Sequence, residues 1–193
     1  MELPLSNYGI NRKLQDLQRK AKIDGSLTKS TQQNGVTIRP GDIFKVNLSK
    51  TNGYFQFLYK DNGYMAGHLI RAFSYQTEKD VSVDTKSLLT SKIKFYTYSR
   101  IFEGISLGLW TKIGSEAIEK NFRPPLFVKL EEGEDLQAKK SMRWIVWSGD
   151  INNFVKIGER TAEFQHIDVA SIFPPQAIVD WFEFGWHGFK LPE

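Results

Sequence analysis

A serine between two glycines is the first group in this sequence that could carry out chemistry. The segment Gly104-Ile-Ser-Leu-Gly108 fits the Gly-x-Ser-x-Gly pattern, which presents a nucleophilic serine on a sharp turn between a strand and a helix. The residues that follow, Leu109 to Gly114, lack the apolar spacing of an amphipathic helix. We therefore favour a strand that bends at these glycines, and hydrolysis by Ser106 is the weakest of three functional hypotheses.

Imidazole and thiol chemistry have little support in the sequence. His68, His166 and His187 are far apart, and none belongs to the closely spaced pairs with which metal sites are built. The chain has no cysteine, which excludes a disulfide framework, a thiolate nucleophile and sulfur ligation of a metal. Glycine-rich phosphate-binding motifs are also missing. The sequence therefore predicts neither a cofactor nor a metal site.

Two groups of side chains are candidates for contact with a partner protein. The acidic run consists of Glu131, Glu132, Glu134 and Asp135. It is either a solvated loop between strands or an acidic surface that meets a basic partner and speeds association. Trp186 and Phe189 follow the last predicted helix, where aromatic side chains either anchor a protein interface or dock onto their own domain.

The positive charge of the chain lies near its N-terminus. The 193 residues carry a formal net charge of +4, and residues 1–39 hold seven cations against three anions. Residues 40–193 are therefore neutral overall. A nucleic-acid-binding surface concentrates cations on one face. The N-terminal segment is therefore the only part of the sequence that offers a candidate for such a surface.

An amphipathic helix is predicted in that segment. Its apolar residues recur at helical spacing, and they are Ile10, Leu14, Leu17 and Ala21. Its cations lie off this stripe, and they are Arg12, Lys13, Arg19 and Lys20. We expect the apolar stripe to pack on the domain and the basic face to be solvated. Ser26 to Gly35 is polar and aperiodic, which is typical of a linker.

A β-meander is predicted to organise the body of the chain. Pro40 to Tyr59 has two apolar segments separated by Asn52-Gly53, which is the signature of a hairpin turn, and Tyr64 to Phe73 adds a third strand. Such a meander needs a covering layer. The leading candidate is a short C-terminal helix that begins near Pro175 and ends at Gly185.

Further strands are predicted in the second half of the chain, at Ile93–Ile101, Leu126–Leu130, Met142–Trp147 and Phe154–Gly158, with a short helix capped by Asp84. The predicted fold class is α+β, with a strongly bent antiparallel sheet, open or barrel-like, from Asp42 to Gly158 and helices at both ends. Residues 1–35 form a basic helix and linker, and residues 36–193 form the domain.

Several short motifs together resemble one known family. They are Pro40–Phe44, Gly108–Gly114, Pro124–Phe127, Trp144–Trp147 and Pro174–Val179, with Gly185 closing the series. Their order and spacing are similar to those of the immunity protein 26 family of bacterial polymorphic-toxin systems. The resemblance covers residues 39–189, and the N-terminal helix departs from it. It implies a cytoplasmic antidote that binds and blocks a cognate toxin without catalysis.

Three functional hypotheses follow from these observations. Inhibition by protein–protein contact is the first, and the shared Gly, Pro and Trp positions then serve as scaffold. Nucleic-acid binding through the basic helix and an aromatic sheet surface is the second, and hydrolysis is the third. No apolar run reaches the roughly 18 residues needed to cross a bilayer, and the first residues lack a signal-peptide pattern, so we expect a cytoplasmic protein without membrane partners.

Overall fold

A computed structural model describes residues 7–21, 29–63, 65–130, 143–149 and 153–185. Contacts divide the chain into two compact units. The minor unit comprises Met1–Asp24, Arg123–Ala170 and Phe189–Glu193, and the major unit comprises Gly25–Phe122 and Ser171–Gly188. The boundary predicted at residue 35 stays a prediction. The N-terminal helix belongs to the same unit as residues 123–170.

The helices and strands in chain order are α1 (Asn7–Lys20), β1 (Thr31–Gln33), β2 (Val36–Ile38), β3 (Asp42–Asn47), β4 (Thr51–Lys60), β5 (His68–Phe73), β6 (Thr77–Glu78), α2 (Thr85–Leu89), β7 (Ile93–Ser99), α3 (Ile101–Ser106), β8 (Trp110–Ser115), β9 (Phe127–Leu130), β10 (Trp144–Trp147), β11 (Phe154–Gly158), β12 (Ile172–Phe173) and α4 (Pro175–Phe184). A single 3₁₀ turn spans Ala162–Phe164. The α+β class is confirmed.

The large sheet of the major unit is open. Its strands run in the order β12-β7-β5-β4-β3-β8, and β6 pairs with the first two residues of β4. All neighbours are antiparallel except β12 and β7. The barrel-like alternative was wrong, because β8 and β12 do not pair with each other. The expected single sheet to Gly158 was also wrong, since β9, β10 and β11 form a separate antiparallel sheet.

The first hairpin turns at a different place from the predicted one. Asn52 and Gly53 lie inside β4, opposite Asn47 and Val46 of β3, and the chain reverses at residues 48–50. A Cβ atom on Gly53 would lie 2.7 Å from the ring of Phe182. The glycine therefore makes room for α4, whereas the sequence pattern suggested a turn.

Aromatic side chains fill the core between one face of the large sheet and its covering helices. The rings of Phe95 and Trp181 of α4 meet edge to face at 5.2 Å, and those of Phe55 and Trp110 do the same at 5.2 Å. Buried Ile178 joins the same cluster. The prediction that the C-terminal helix covers the meander is confirmed, and α3 shares this role through Ile101.

The opposite face of the large sheet holds a polar network. Arg71, which is 4% exposed, donates from Nε to the Gln56 side chain at 2.9 Å and from Nη1 to the Glu119 carboxylate at 2.8 Å. The Gln56 amide in turn donates to the carbonyls of Gly41 and Glu116. The network ties the segment after β8 to the centre of the sheet.

The minor unit is built on a three-stranded sheet. Its core contains Leu17 of α1 together with Val128, Trp144 and Val146, and Ile10 and Leu14 pack against it. The predicted apolar stripe of α1 is therefore confirmed as a packing surface. Side chains alternate between the two faces of a strand, so Trp147 faces the opposite side of the sheet from Trp144. All four residues of β10 are buried, which means that both faces of this strand are covered. Among the helices of the described ranges, none has the length and apolar character needed to cross a membrane.

Candidate functional site

An open groove in the major unit is the candidate site. Its volume is about 870 Å³. Three walls enclose it, namely the β1–β2 hairpin, the ends of three strands of the large sheet, and α3. Ligand sites commonly have volumes of roughly 300 to 1,000 Å³, so the groove is large enough to hold several side chains of a partner.

The sheet wall carries a row of polar side chains. Lys60 of β4 pairs with His68 of β5, and His68 pairs with Ser99 of β7. Directly opposed residues of antiparallel strands project to the same face, so the three side chains stand next to one another. The Ser99 hydroxyl donates to the carbonyl of Phe173 at 3.0 Å. The row thus offers one cation, one imidazole and one hydroxyl.

His68 is a neutral and enclosed imidazole. It is 8% exposed, and its ring lies edge to face with Phe57 at 5.3 Å and with Phe102 at 5.5 Å. Burial lowers its pKa to about 4, with a further lowering by the charge of Lys60 and an opposing effect of the Ser99 backbone. Neither ring nitrogen makes a hydrogen bond of normal geometry within the described part of the chain.

The helix wall contains the serine of the Gly-x-Ser-x-Gly segment. Ser106 ends the short helix α3, so the predicted strand bend was wrong at this point. Its hydroxyl donates to the Glu103 backbone carbonyl at 2.8 Å, and His68 is not its partner. Gly104 lies against Trp110, whose ring would be 2.0 Å from an added Cβ atom. This glycine is needed for close packing, and the serine lacks the base that would activate it.

The charges of the helix wall come from Arg100 and Glu103. The Arg100 guanidinium and the Glu103 carboxylate approach to 3.5 Å, and their side chains are 69% and 42% exposed. An exposed pair of this kind contributes little to stability, so both groups are available to a partner. Lys60 makes no ion pair with any described residue. The groove therefore presents two cations and one carboxylate.

The hairpin wall was missed by the sequence analysis, which assigned Ser26 to Gly35 to a linker. Asn34 and Gly35 have φ values of 49° and 78°, as a two-residue type I′ turn requires, and β1 and β2 flank them. Ile38 at the end of β2 is fully buried and anchors the hairpin in the core. The Asn-Gly pair was the local signal that could have identified this hairpin.

The predicted contact residues lie outside the described part of the chain. They are Glu131, Glu132, Glu134, Asp135, Trp186 and Phe189. His187 lies outside that part too, and His166 is exposed on the minor unit. Within the described ranges, His, Asp and Glu side chains form no group of three that could hold a metal ion.

The motif residues behind the family resemblance are mainly structural. Trp110, Trp144 and Trp147 are each at most 2% exposed, and Pro175 opens α4. Such residues shape a core and leave recognition to other side chains. Comparison of the chain with family models, with curated proteins and with solved structures gave no match.

Proposed function

We propose that this protein is a cytoplasmic immunity protein, which binds a cognate bacterial toxin and blocks it by protein–protein contact without catalysis. The resemblance to the immunity protein 26 family supports this proposal. Trp110, Trp144 and Trp147 lie in the core, as scaffold positions should, so recognition depends on exposed side chains.

The open groove is the observation that carries the proposal. Its border combines exposed amide side chains of β1 with an exposed apolar group, since Val36 is 38% exposed. A mixture of apolar contacts and hydrogen-bonding groups is typical of protein interfaces. The hydroxyl of Ser106 and the imidazole of His68 are not coupled, so the groove suits binding better than hydrolysis.

Neutralisation of a toxin is the direct test. A toxin domain encoded beside this gene should arrest growth when expressed alone, and co-expression of this protein should restore growth. The two purified proteins should form a complex, with a standard interface of about 1,600 Å² in total. Growth arrest that persists despite a soluble, folded antidote would contradict the proposal.

The acidic run has its own test within this proposal. The double variant Glu132→Lys with Glu134→Lys should slow association with the toxin at low salt, because charge complementarity mainly raises the on-rate. The matched control reverses Asp80 and Glu159, which are exposed carboxylates elsewhere. Equal association rates for the two variants would remove the acidic run from the interface. Trp186→Ala and Phe189→Ala should raise the dissociation rate if these rings anchor the complex.

Nucleic-acid binding is the alternative, and the exposure of the basic face of α1 favours it. Its exposed cations are Arg12, Lys13, Arg19 and Lys20. Arg19 is paired with Asp16 at 2.8 Å, and the other three form no ion pair with any residue in the described part of the chain. This alternative predicts an affinity for DNA or RNA that falls steeply with salt and is lost when the cations are replaced by glutamine. A complex that forms equally well at high salt would contradict it.

A further inference from the structure

An unpaired strand edge borders the groove. Among the described strands, β1 pairs only with β2. The consecutive residues Thr31, Gln32 and Gln33 all line the groove. Successive side chains of a strand point to opposite faces, so three consecutive lining residues place the edge of β1 along the groove, and Val36 adds part of one face of the hairpin near its turn.

The hairpin register identifies the free backbone groups of this edge. Gln33 and Val36 flank the two-residue turn and form its hydrogen-bonded pair. Gln32 and Thr37 form the next, non-hydrogen-bonded pair. The N–H and C=O of Gln32 therefore point away from β2, toward the groove. An exposed edge with free groups of this kind can accept an added strand.

The charges of the groove select the type of strand. Lys60 and Arg100 line it, and Glu103 is the single carboxylate among its lining residues. The pair between Arg100 and Glu103 spans 3.5 Å between exposed side chains, which leaves the guanidinium accessible. His68 is neutral at neutral pH, so the positive potential of the groove comes from Lys60 and Arg100. Their surplus over Glu103 favours an acidic occupant.

We propose that the groove binds an extended acidic segment of a partner polypeptide, which adds as a strand to the free edge of β1 and places a carboxylate beside Lys60 and Arg100. The inference rests on the proposed function in one respect, since the toxin is then the natural source of the segment. Backbone hydrogen bonds to Gln32 align the segment, and the exposed Val36 adds apolar contact.

The test uses the full-length protein and fluorescent synthetic peptides. One probe alternates glutamate with valine, and the matched probe alternates lysine with valine. Fluorescence anisotropy should show binding of the glutamate probe, and binding of the lysine probe at least about tenfold weaker. Lys60→Glu should weaken the affinity for the glutamate probe by about tenfold or more, because it removes one attraction and adds a repulsion. Equal affinity for the two probes would overturn the proposal.

The strand edge is tested with proline. Gln32→Pro removes the outward N–H without removing a hydrogen bond of the hairpin, and it should abolish binding of the glutamate probe. Thr37→Pro is the matched control, because it removes the outward N–H on the other edge of the same hairpin. This variant should bind the glutamate probe as tightly as the wild-type protein does. A glutamate probe with methylated backbone nitrogens gives the same information without altering the protein. Undiminished binding of this methylated probe would overturn strand addition.

Two further outcomes separate the inference from its alternatives. If free glutamate or inorganic phosphate displaces the probe at the concentration at which the unlabelled peptide does, the groove is a small-anion site and the inference fails. If the toxin is neutralised equally well by Lys60→Glu and Gln32→Pro variants, the inference fails and the proposed function stands. If the glutamate probe binds but no toxin is neutralised, the proposed function fails and the inference about the groove stands.

Discussion

The two units pack the tryptophan side chains of their sheets differently. In the major unit, aromatic rings pack between a large sheet and its helices, with Phe55 and Trp110 at 5.2 Å. In the minor unit, cations lie over tryptophan rings on both faces of a three-stranded sheet. Arg160 lies 5.5 Å from the ring centre of Trp144, and Lys129 lies 5.5 Å from that of Trp147.

The difference shows how the size of a sheet affects what its core requires. A three-stranded sheet has little apolar area to bury, so long cationic side chains contribute both cover and attraction to the aromatic rings. Lys129 and Arg160 are only 7% and 9% exposed. The larger sheet buries enough aromatic surface to depend mainly on close fit. The major unit should therefore be most sensitive to added volume, and the minor unit to lost cations.

The largest effect is expected from an added methyl group in the major unit. In Gly104→Ala, the new Cβ atom would lie 2.0 Å from the buried ring of Trp110, whose indole N–H donates to the Ile101 carbonyl at 2.9 Å. The forced shift should lower the free energy of unfolding by about 3 kcal/mol. Urea denaturation measures it. Ser106→Ala in the same helix is the control and should be close to wild type, and equal stability of the two variants would contradict close fit at this position.

A pH dependence of about 2 kcal/mol is expected from His68. Its folded pKa of about 4 lies below its ordinary value of 6.5, so the unfolded chain binds a proton more readily in this interval. The contribution of His68 to the free energy of unfolding has its full value above pH 6.5 and falls as the pH drops toward 4. The loss between pH 7 and pH 5 should be about 2 kcal/mol. Urea titrations across this range measure the slope. His68→Phe should flatten it, and His166→Gln should leave it in place.

The cations of the minor unit provide the next prediction. Arg160→Met removes the contact with Trp144 and the hydrogen bond to the Ile167 carbonyl, which spans 3.1 Å. We expect a loss of about 1 to 2 kcal/mol in the free energy of unfolding, because the buried carbonyl loses its donor. Arg160→Lys keeps the charge, and its free energy of unfolding should lie between those of the wild-type protein and Arg160→Met. A methionine variant as stable as wild type would show that apolar packing alone holds this sheet.

The smallest effect is expected from Glu119 in the polar network of the major unit. Burial acts to raise its pKa, but hydrogen bonds and the charge of Arg71 outweigh burial and lower it. A lowered carboxyl pKa stabilises the fold above the unfolded pKa, and this contribution is lost as the pH falls through the folded pKa. Glu119 is about half exposed, so Glu119→Gln should lose less than about 1 kcal/mol at pH 7. The two proteins should become equally stable in acid, and a constant difference would argue against the ion pair.

Local patterns were enough to place most elements of the fold. The alternation in β7, the Asp84 cap that accepts from the Lys86 N–H, and the proline and glycine that bound α4 each act within a few residues. They could therefore be predicted from spacing alone. Asn52-Gly53 misled the prediction, because the same two residues suit a turn and a strand beside a ring. Only the position of Phe182 distinguishes these two cases.

The candidate groove could be predicted only in fragments. His68 and Ser106 attracted attention as single residues, and Lys60 and Arg100 did not, since nothing in their neighbourhood marks them. They come together because β4, β5 and β7 end side by side and α3 follows β7 directly. Their convergence depends on strand pairing between distant segments, which residue spacing does not encode.

The amino-acid sequence by itself determined the α+β class, the amphipathic helix, the location of most strands and the lack of thiol chemistry, because each depends on local preference or composition. Tertiary structure decided that the large sheet stays open, that the strands after residue 126 form a sheet of their own, and that His68 is enclosed and neutral. These features depend on which distant surfaces exclude water from one another. Burial, unlike periodicity, is a property of the folded chain.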